Sequence, residues 1–306
     1  MKTAKLEGLI AAPFTPMNAD GSINVILIRE YYAFLKRNGI TGAFICGSTG
    51  EGASLSLTEK KRVAAAWAEA TRNDGSFKVM LLVSGNSLAE GKELALYARE
   101  IGLYAISLSA PSYFKPADVG TLAVVCREVA SVVGDMPFYY YHIPVLTGVP
   151  FTMYELLAAI GDTIPNFAGI KYTHEDFMDF MTCLHFRNGR YDMLWGRDEN
   201  MLPALAVGAR GAVGSTFNYA APLYTHLISA YERGDLACAR QWQQRSINMI
   251  RLLGKYGGIA TGKAFMKLIG LDCGAFRLPV KNMSDAQFEQ FKKDVSALDF
   301  DAFKSV

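Results

Sequence analysis

The chain is poor in cysteine, and what it has shows no pairing pattern. Its five cysteines, Cys46, Cys126, Cys183, Cys238 and Cys273, are scattered, odd in number and without a Cys-x-x-Cys pair. This argues against a disulfide framework and for a reducing compartment. The four histidines, His142, His174, His185 and His226, lack metal-ligand spacing, so no metal site is expected. No apolar run approaches the roughly 18 residues of a membrane span, and the start Met1-Lys2-Thr3-Ala4-Lys5 carries no apolar signal core. A cytoplasmic protein with no membrane contact is the expectation. Lys and Arg (31) nearly balance Asp and Glu (29), with no long basic run, so nothing marks a nucleic-acid partner. A Gly-x-Gly-x-x-Gly fingerprint, a Walker loop and a Pro-, Gly- or Ser-rich linker are also missing. No motif for a bound cofactor is left.

What is present is a soluble globular composition, 51% hydrophobic and 20% charged over 306 residues, enough for one large domain or two smaller ones. Short apolar runs alternate with longer amphipathic segments. The runs fall at 9–13, 42–46, 78–83, 104–108, 137–141, 167–171, 192–195 and 211–215. The helical segments between them cover 24–38, a stretch opened by Thr58, 87–101, 117–133, 152–160, 174–186, 199–207 and 220–233. Strands alternating with helices of this length pair in parallel, and eight such units predict closure into a (β/α)8 barrel. An open doubly wound sheet is the alternative. Beyond residue 233, helices at 235–256, 261–270 and 284–295 predict a C-terminal helical extension. The expected organisation is a barrel over 1–233 carrying the site, with 234–306 packed on it.

In such a barrel, reactive groups sit where strands end and βα loops begin. Strand six ends an apolar run with Lys171. Taken alone, this lysine is explained as well by a side chain that follows the strand to water. A desolvated lysine, however, loses its proton more easily and can attack a carbonyl to form a Schiff base. Strand five ends in Tyr139-Tyr140-Tyr141, whose alternation sends Tyr139 and Tyr141 to one face and Tyr140 to the other. A tyrosine at a strand end can relay a proton. Gly47-Ser48-Thr49-Gly50-Glu51 after strand two offers hydroxyls and backbone N–H groups to a carboxylate, although an ordinary tight turn has the same composition. Thr173 adds a hydroxyl beside Lys171. Gly196-Arg197-Asp198-Glu199 after strand seven provides two carboxylates, which could equally cap the next helix. Gly214-Ser215-Thr216-Phe217-Asn218 after strand eight is a second glycine–hydroxyl loop. A lysine, a tyrosine on the adjacent strand and carboxylate-binding loops together describe a site for a 2-keto acid held as an imine.

These stretches resemble the pyruvate-dependent class I aldolases typified by dihydrodipicolinate synthase and N-acetylneuraminate lyase, over essentially the whole chain. The resemblance rests on Gly47-Ser48-Thr49-Gly50-Glu51, Tyr141-x-Ile143-Pro144, Gly169-x-Lys171-x-Thr173 and Gly214-Ser215-Thr216. It implies a Schiff base on Lys171 with no other cofactor, proton handling by Tyr141 and carboxylate binding by Ser48 and Thr49. It also implies a (β/α)8 barrel, usually tetrameric. The synthase holds a second carboxylate with an arginine at the position of Leu146, so that anion clamp is lost here. The stretch from Tyr139 to Val149 is similar to the animal-type sialate lyases. In the lyases the acidic pair and the serine bind the polyol tail, which assigns Asp198, Glu199 and Ser215 to the sugar, with Gly196 assisting. Thr173 completes the set, and Gly214 and Tyr113 are further candidates, Tyr113 near the tyrosine and across a subunit contact. Phe217 stands where the lyases carry a tyrosine. The expected reaction is cleavage of sialic acid to N-acetylmannosamine and pyruvate. A 2-keto-3-deoxy sugar acid aldolase and a non-catalytic keto-acid-binding paralogue are the alternatives.

Overall fold

The computed structural model describes residues 5–306, so the start read at residues 1–4 lies outside the described residues. Strands β1 (Gly8–Ala11), β2 (Gly42–Ile45), β3 (Lys78–Leu82) and β4 (Ala105–Ser109) are followed by β5 (Phe138–His142), β6 (Phe167–Tyr172), β7 (Asp192–Trp195) and β8 (Gly211–Gly214). They pair in parallel in chain order, and β8 returns to β1. This is the closed eight-stranded (β/α)8 barrel expected from the alternation. Helices α1 (Ile28–Arg37), α2 (Leu57–Thr71), α3 (Leu88–Glu100) and α4 (Val119–Ala130) fill the first four crossovers. The short α5 (Pro144–Thr147) precedes α6 (Met153–Ile160), then α7 (Phe177–His185), α8 (Met201–Ala206) and α9 (Phe217–Glu232). α5 was not expected; Pro144 stands at its first position, where a missing N–H costs nothing.

Strands covered on both faces read as continuous apolar runs, and each contributes to two cores. Ile10, Phe44, Met80, Tyr139, Tyr141 and Leu194 fill the barrel interior. Leu9, Ile45, Leu81, Tyr140 and Ile170 pack outward against the helices, so the tyrosine run divides between faces as its alternation predicts. The start of α2 differs from the reading at Thr58. Ser56 is the cap: its hydroxyl accepts from Glu59 N–H while Glu59 accepts from Ser56 N–H, a complete capping box. Leu57, apolar and ahead of Thr58, is already the first helical residue.

Beyond the barrel, α10 (Leu236–Lys255), α11 (Thr261–Leu268) and α12 (Asp285–Ser296) form the C-terminal extension. Its last residues bond back to the barrel helices. Ser305 N–H donates to Tyr219 O at 2.8 Å, its Oγ accepts from Ala221 N–H at 3.0 Å, and Val306 N–H donates to Asn38 Oδ1 at 2.9 Å.

Strand β6 carries one extra residue. Phe138 pairs with Phe167, but the next residue of β5, Tyr139, pairs with Gly169, which leaves Ala168 unpaired in a bulge. Strict alternation from Ala168, which faces inward, would turn Lys171 outward among the helices. After the bulge, Ile170 and Tyr172 face out and Lys171 faces the interior. The bulge needs glycine at 169, because a Cβ there would lie 1.9 Å from Asp192 O on β7. Gly169→Ala should therefore destabilise the chain by about 1–3 kcal/mol or more, as forced overpacking does. Equilibrium urea unfolding measures this, and wild-type stability in the variant would show that the bulge does not depend on the missing side chain.

Candidate active site

Lys171 is 4% exposed at the C-terminal mouth of the barrel. Its Nζ lies 4.0 Å from the centre of the Phe44 ring and 4.1 Å from that of Tyr141. Aromatic faces attract a cation but replace little of its hydration. Burial accordingly lowers the pKa of Lys171 to about 7, opposed only in part by the charge of Asp198. Near neutral pH a large share of the amine is unprotonated, which is the nucleophilic form.

Tyr141 is the direct partner of Lys171 across β5 and β6. Burial raises its phenol to about 12, while the hydroxyls of Ser48 and Thr173 pull it down. Thr173 Oγ1 is buried near that phenol but makes no well-formed hydrogen bond, so its donor is free. Gly196 makes room for it, since a Cβ at 196 would lie 1.9 Å from that oxygen.

The loop after β2 brings half-buried Ser48 and buried Thr49 to the same mouth. Its backbone is strained at both ends: Cys46 and Glu51 have φ of 55° and 56°, the left-handed region that side chains disfavour. Gly52 cannot carry a Cβ, which would sit 1.9 Å from Cys46 O. Glu51 does not face the mouth. Its carboxylate accepts from Lys263 Nζ at 2.6 Å and from Arg277 N–H at 2.8 Å.

Asp198 is buried, and no helix cap employs it. Its Oδ2 accepts from Thr216 N–H at 2.9 Å and Thr216 Oγ1 at 2.7 Å. Desolvation raises its carboxyl to about 6, with Thr216 opposing. Gly214 gives it space, since a Cβ there would approach Asp198 Oδ1 to 2.3 Å. Glu199 is half-buried and pairs with Arg197 at 2.7 Å, whose guanidinium also holds Glu175 at 2.6 Å. Ser215 is half-buried beside them and accepts from Asn218 Nδ2 at 2.7 Å through its carbonyl. Phe217 packs edge-on against Tyr224, ring centres 4.7 Å apart.

Ser48, Thr49, Tyr141, Lys171, Thr173, Gly196, Asp198, Glu199, Gly214 and Ser215 thus gather at one end of the barrel. Tyr113 does not join them within the chain: it is 76% exposed, edge-on to an exposed Phe114. Leu146 lines a side cavity of about 530 Å³ that reaches from Ser48 and Tyr141 to Lys60 and Asn86. A cavity of about 600 Å³ at Phe77, Lys78 and Tyr104 lies at the opposite end of the strands, away from these groups. Sequence reasoning gave no role to Thr216, to the Tyr224 and Ser246 hydroxyls bonded behind it, or to Lys263. Thr216 at least lay within a noted motif; the others are helix residues with no local signal.

A model of the dihydrodipicolinate synthetase family matches residues 5–298. The chain belongs to that family. A protein named N-acetylneuraminate lyase from Pongo abelii is 41% identical, covering 98% of this chain and 94% of that one. Its namesake from Mus musculus is 40% identical over 99% and 95%. Among solved structures, Proteus mirabilis N-acetylneuraminate lyase superposes with a TM-score of 0.94 at 39% identity, covering 97% of this chain and 100% of the other. The Aliivibrio salmonicida lyase does so with a TM-score of 0.94 at 34% identity, over 97% and 98%. Among the described residues no helix is long and apolar enough to cross a membrane.

The buried amine has a measurable consequence. In the unfolded chain Lys171 holds its proton up to about 10.5, in the folded chain only up to about 7. The unfolded state thus binds more protons between those values, and this group's contribution makes stability rise with pH across the window. Lys171→Met should therefore stabilise the chain by a few kcal/mol near pH 6.5, with the gain shrinking toward pH 10. Urea unfolding of both chains near pH 6.5 and near pH 9.5 tests this; an equal effect at the two would contradict a desolvated lysine.

Proposed function

We propose that this member of the dihydrodipicolinate synthetase family is an N-acetylneuraminate lyase, a class I aldolase that reversibly cleaves sialic acid to N-acetylmannosamine and pyruvate. The observation that carries the reading is the amine of Lys171, desolvated between Phe44 and Tyr141 and brought to a pKa of about 7. Similarity to lyases at about 40% identity over nearly the full chain supports the choice of substrate.

In this reading unprotonated Lys171 attacks C2 of the open-chain keto acid, and loss of water leaves the imine. Ser48 and Thr49 hold the C1 carboxylate with hydroxyl and backbone donors. A phenol with a pKa of about 12 stays protonated at neutral pH, so Tyr141 acts as a relay. It takes the C4 hydroxyl proton while its own passes to the Ser48 hydroxyl. That hydroxyl gives up its proton in turn to the bound C1 carboxylate, the source of the proton later delivered to C3. The C3–C4 bond breaks, the imine receives the electron pair as an enamine, and N-acetylmannosamine leaves. Protonation at C3 and hydrolysis release pyruvate and restore the amine. No further cofactor is required. Asp198, Glu199 and Ser215 bind the polyol tail, with the Gly196 backbone assisting; Gly214 leaves room for Asp198. We also assign the catalytic barrel to 1–233 and the extension to 234–306, a cytoplasmic setting, and a homotetramer in which Tyr113 meets a neighbouring copy.

Borohydride reduction in the presence of pyruvate should leave one adduct, on Lys171, and a coupled assay should detect pyruvate released from sialic acid. Tyr141→Phe should lower the cleavage rate by about 10²–10⁴-fold. A peptide map with the adduct elsewhere would refute the imine assignment. Faster turnover of 2-keto-3-deoxygluconate than of sialic acid would move the substrate to the shorter sugar acids.

A further inference from the structure

The chain buries a second lysine as deeply as the first, far along the sequence and outside the reaction described above. Lys263 on α11 is 3% exposed, and its Nζ donates to Glu51 Oε1 at 2.6 Å and to Ala275 O at 3.0 Å. Glu51 closes the loop that carries Ser48 and Thr49, and its other carboxylate oxygen accepts from Arg277 N–H at 2.8 Å. The Arg277 side chain reaches the far side of the same segment. It donates to Ser54 O at 3.0 Å and to Glu59, the partner of Ser56 in the α2 capping box, at 2.9 Å and 2.5 Å. Two residues of the C-terminal extension therefore clasp the stretch 51–59 at both ends.

The loop requires such a clasp. Left-handed backbone at Cys46 and Glu51 persists only where the surroundings over-determine it. The loop's own backbone bonds, among them Glu51 N–H to Ser48 O at 3.2 Å, Gly52 N–H to Gly47 O at 3.0 Å and Ser54 N–H to Glu51 O at 2.8 Å, fold the turn. Thr15 Oγ1 also donates to Gly50 O at 2.6 Å, but none of these bonds engages the Glu51 carboxylate. The Glu51 carboxylate is the loop's one buried charge and, removed from water, must keep its cation. If Lys263 is lost, the buried Glu51 carboxylate loses its cation and must move toward water, which releases the residue that ends the Ser48–Thr49 turn.

We propose that Lys263 is a positioning residue for the reaction, holding the carboxylate-binding loop in register with Lys171 through its buried ion pair with Glu51. This rests on the lyase reading, in which Ser48 and Thr49 hold the keto-acid carboxylate. The effect is confined to that end of the substrate, because the polyol residues Asp198, Glu199 and Ser215 stand on β7 and β8 loops that Lys263 does not touch.

The test measures two substrates in one set of variants. Lys263→Met and the milder Glu51→Gln, which keeps an acceptor for Arg277 N–H, are compared with wild type by borohydride trapping against pyruvate concentration. The condensation reaction is then run at saturating pyruvate with varied N-acetylmannosamine. The expected result is a rise of about 10- to 100-fold in half-saturating pyruvate, the scale of a lost charge-assisted contact, with the N-acetylmannosamine KM changed less than about twofold. Should Lys263→Met not fold, Glu51→Gln alone decides. Unchanged pyruvate dependence in a folded variant overturns the proposal, as does equal weakening toward both substrates, which marks general loosening. A wild-type chain that traps no pyruvate overturns the lyase reading itself, and the positioning role with it.

Discussion

The site depends on one extra residue in β6. Parallel strands give each side chain a face by alternation, and without the bulge at Ala168 and Gly169 that rule would send Lys171 into the layer between sheet and helices. There it would meet outward-packed side chains of the neighbouring strands such as Tyr140 and Met193. With the bulge it meets the rings of Phe44 and Tyr141 at the barrel mouth. The carbonyl of Asp192 occupies the space where residue 169 would carry a Cβ, so the backbone of β7 and the glycine of β6 together decide which way the lysine points. The pairing of Tyr141 with Lys171, and the access of Ser48 and Thr173 to that phenol, follow from this placement.

Burial then acts on Lys171, Asp198 and Tyr141 in the same sense, against charge. It brings Lys171 down to about 7, Asp198 up to about 6 and Tyr141 up to about 12. Lys263 shows the opposite solution at the same depth. It too is desolvated, which lowers its pKa, but a carboxylate at 2.6 Å opposes that loss and a carbonyl at 3.0 Å accepts a second hydrogen bond. The two lysines differ in partner geometry and not in depth, since their exposure is nearly identical at 4% and 3%. Rings around Lys171 exclude water without offering a charge.

The sequence made the barrel legible because strand and helix periods differ so strongly. Asp192–Trp195 matches its expected run residue for residue, and most boundaries differ by one to three positions. Strand-end hydroxyls, the lysine and the tyrosine were visible because each interrupts an apolar pattern. The bulge was not, since a glycine in a strand has several explanations and alternation cannot announce its own failure. Glu51 looked like part of a carboxylate cradle, yet its partners lie 212 and 226 residues away, and no local pattern reports such a pairing. Asp198 read equally well as a helix cap; its capture by Thr216 is a contact between neighbouring strand-end loops that only closure of the barrel creates.

The helical extension stands behind both ends of the candidate site. On one side Lys263 and Arg277 hold the loop of Ser48 and Thr49 through Glu51 and Glu59. On the other, α10 supports the β7 loop: Gln243 Nε2 donates to Glu199 O at 3.0 Å, and Ser246 Oγ bonds Tyr224 at 2.8 Å, which meets Thr216 and through it Asp198. A barrel alone would leave these loops with solvent behind them, free to sample other backbone states. The extension replaces that solvent with buried, directional partners. In the proposed reaction the carboxylate and the polyol tail must be held at a set separation while the bond between them breaks, and helices of one extension back both loops that would hold them.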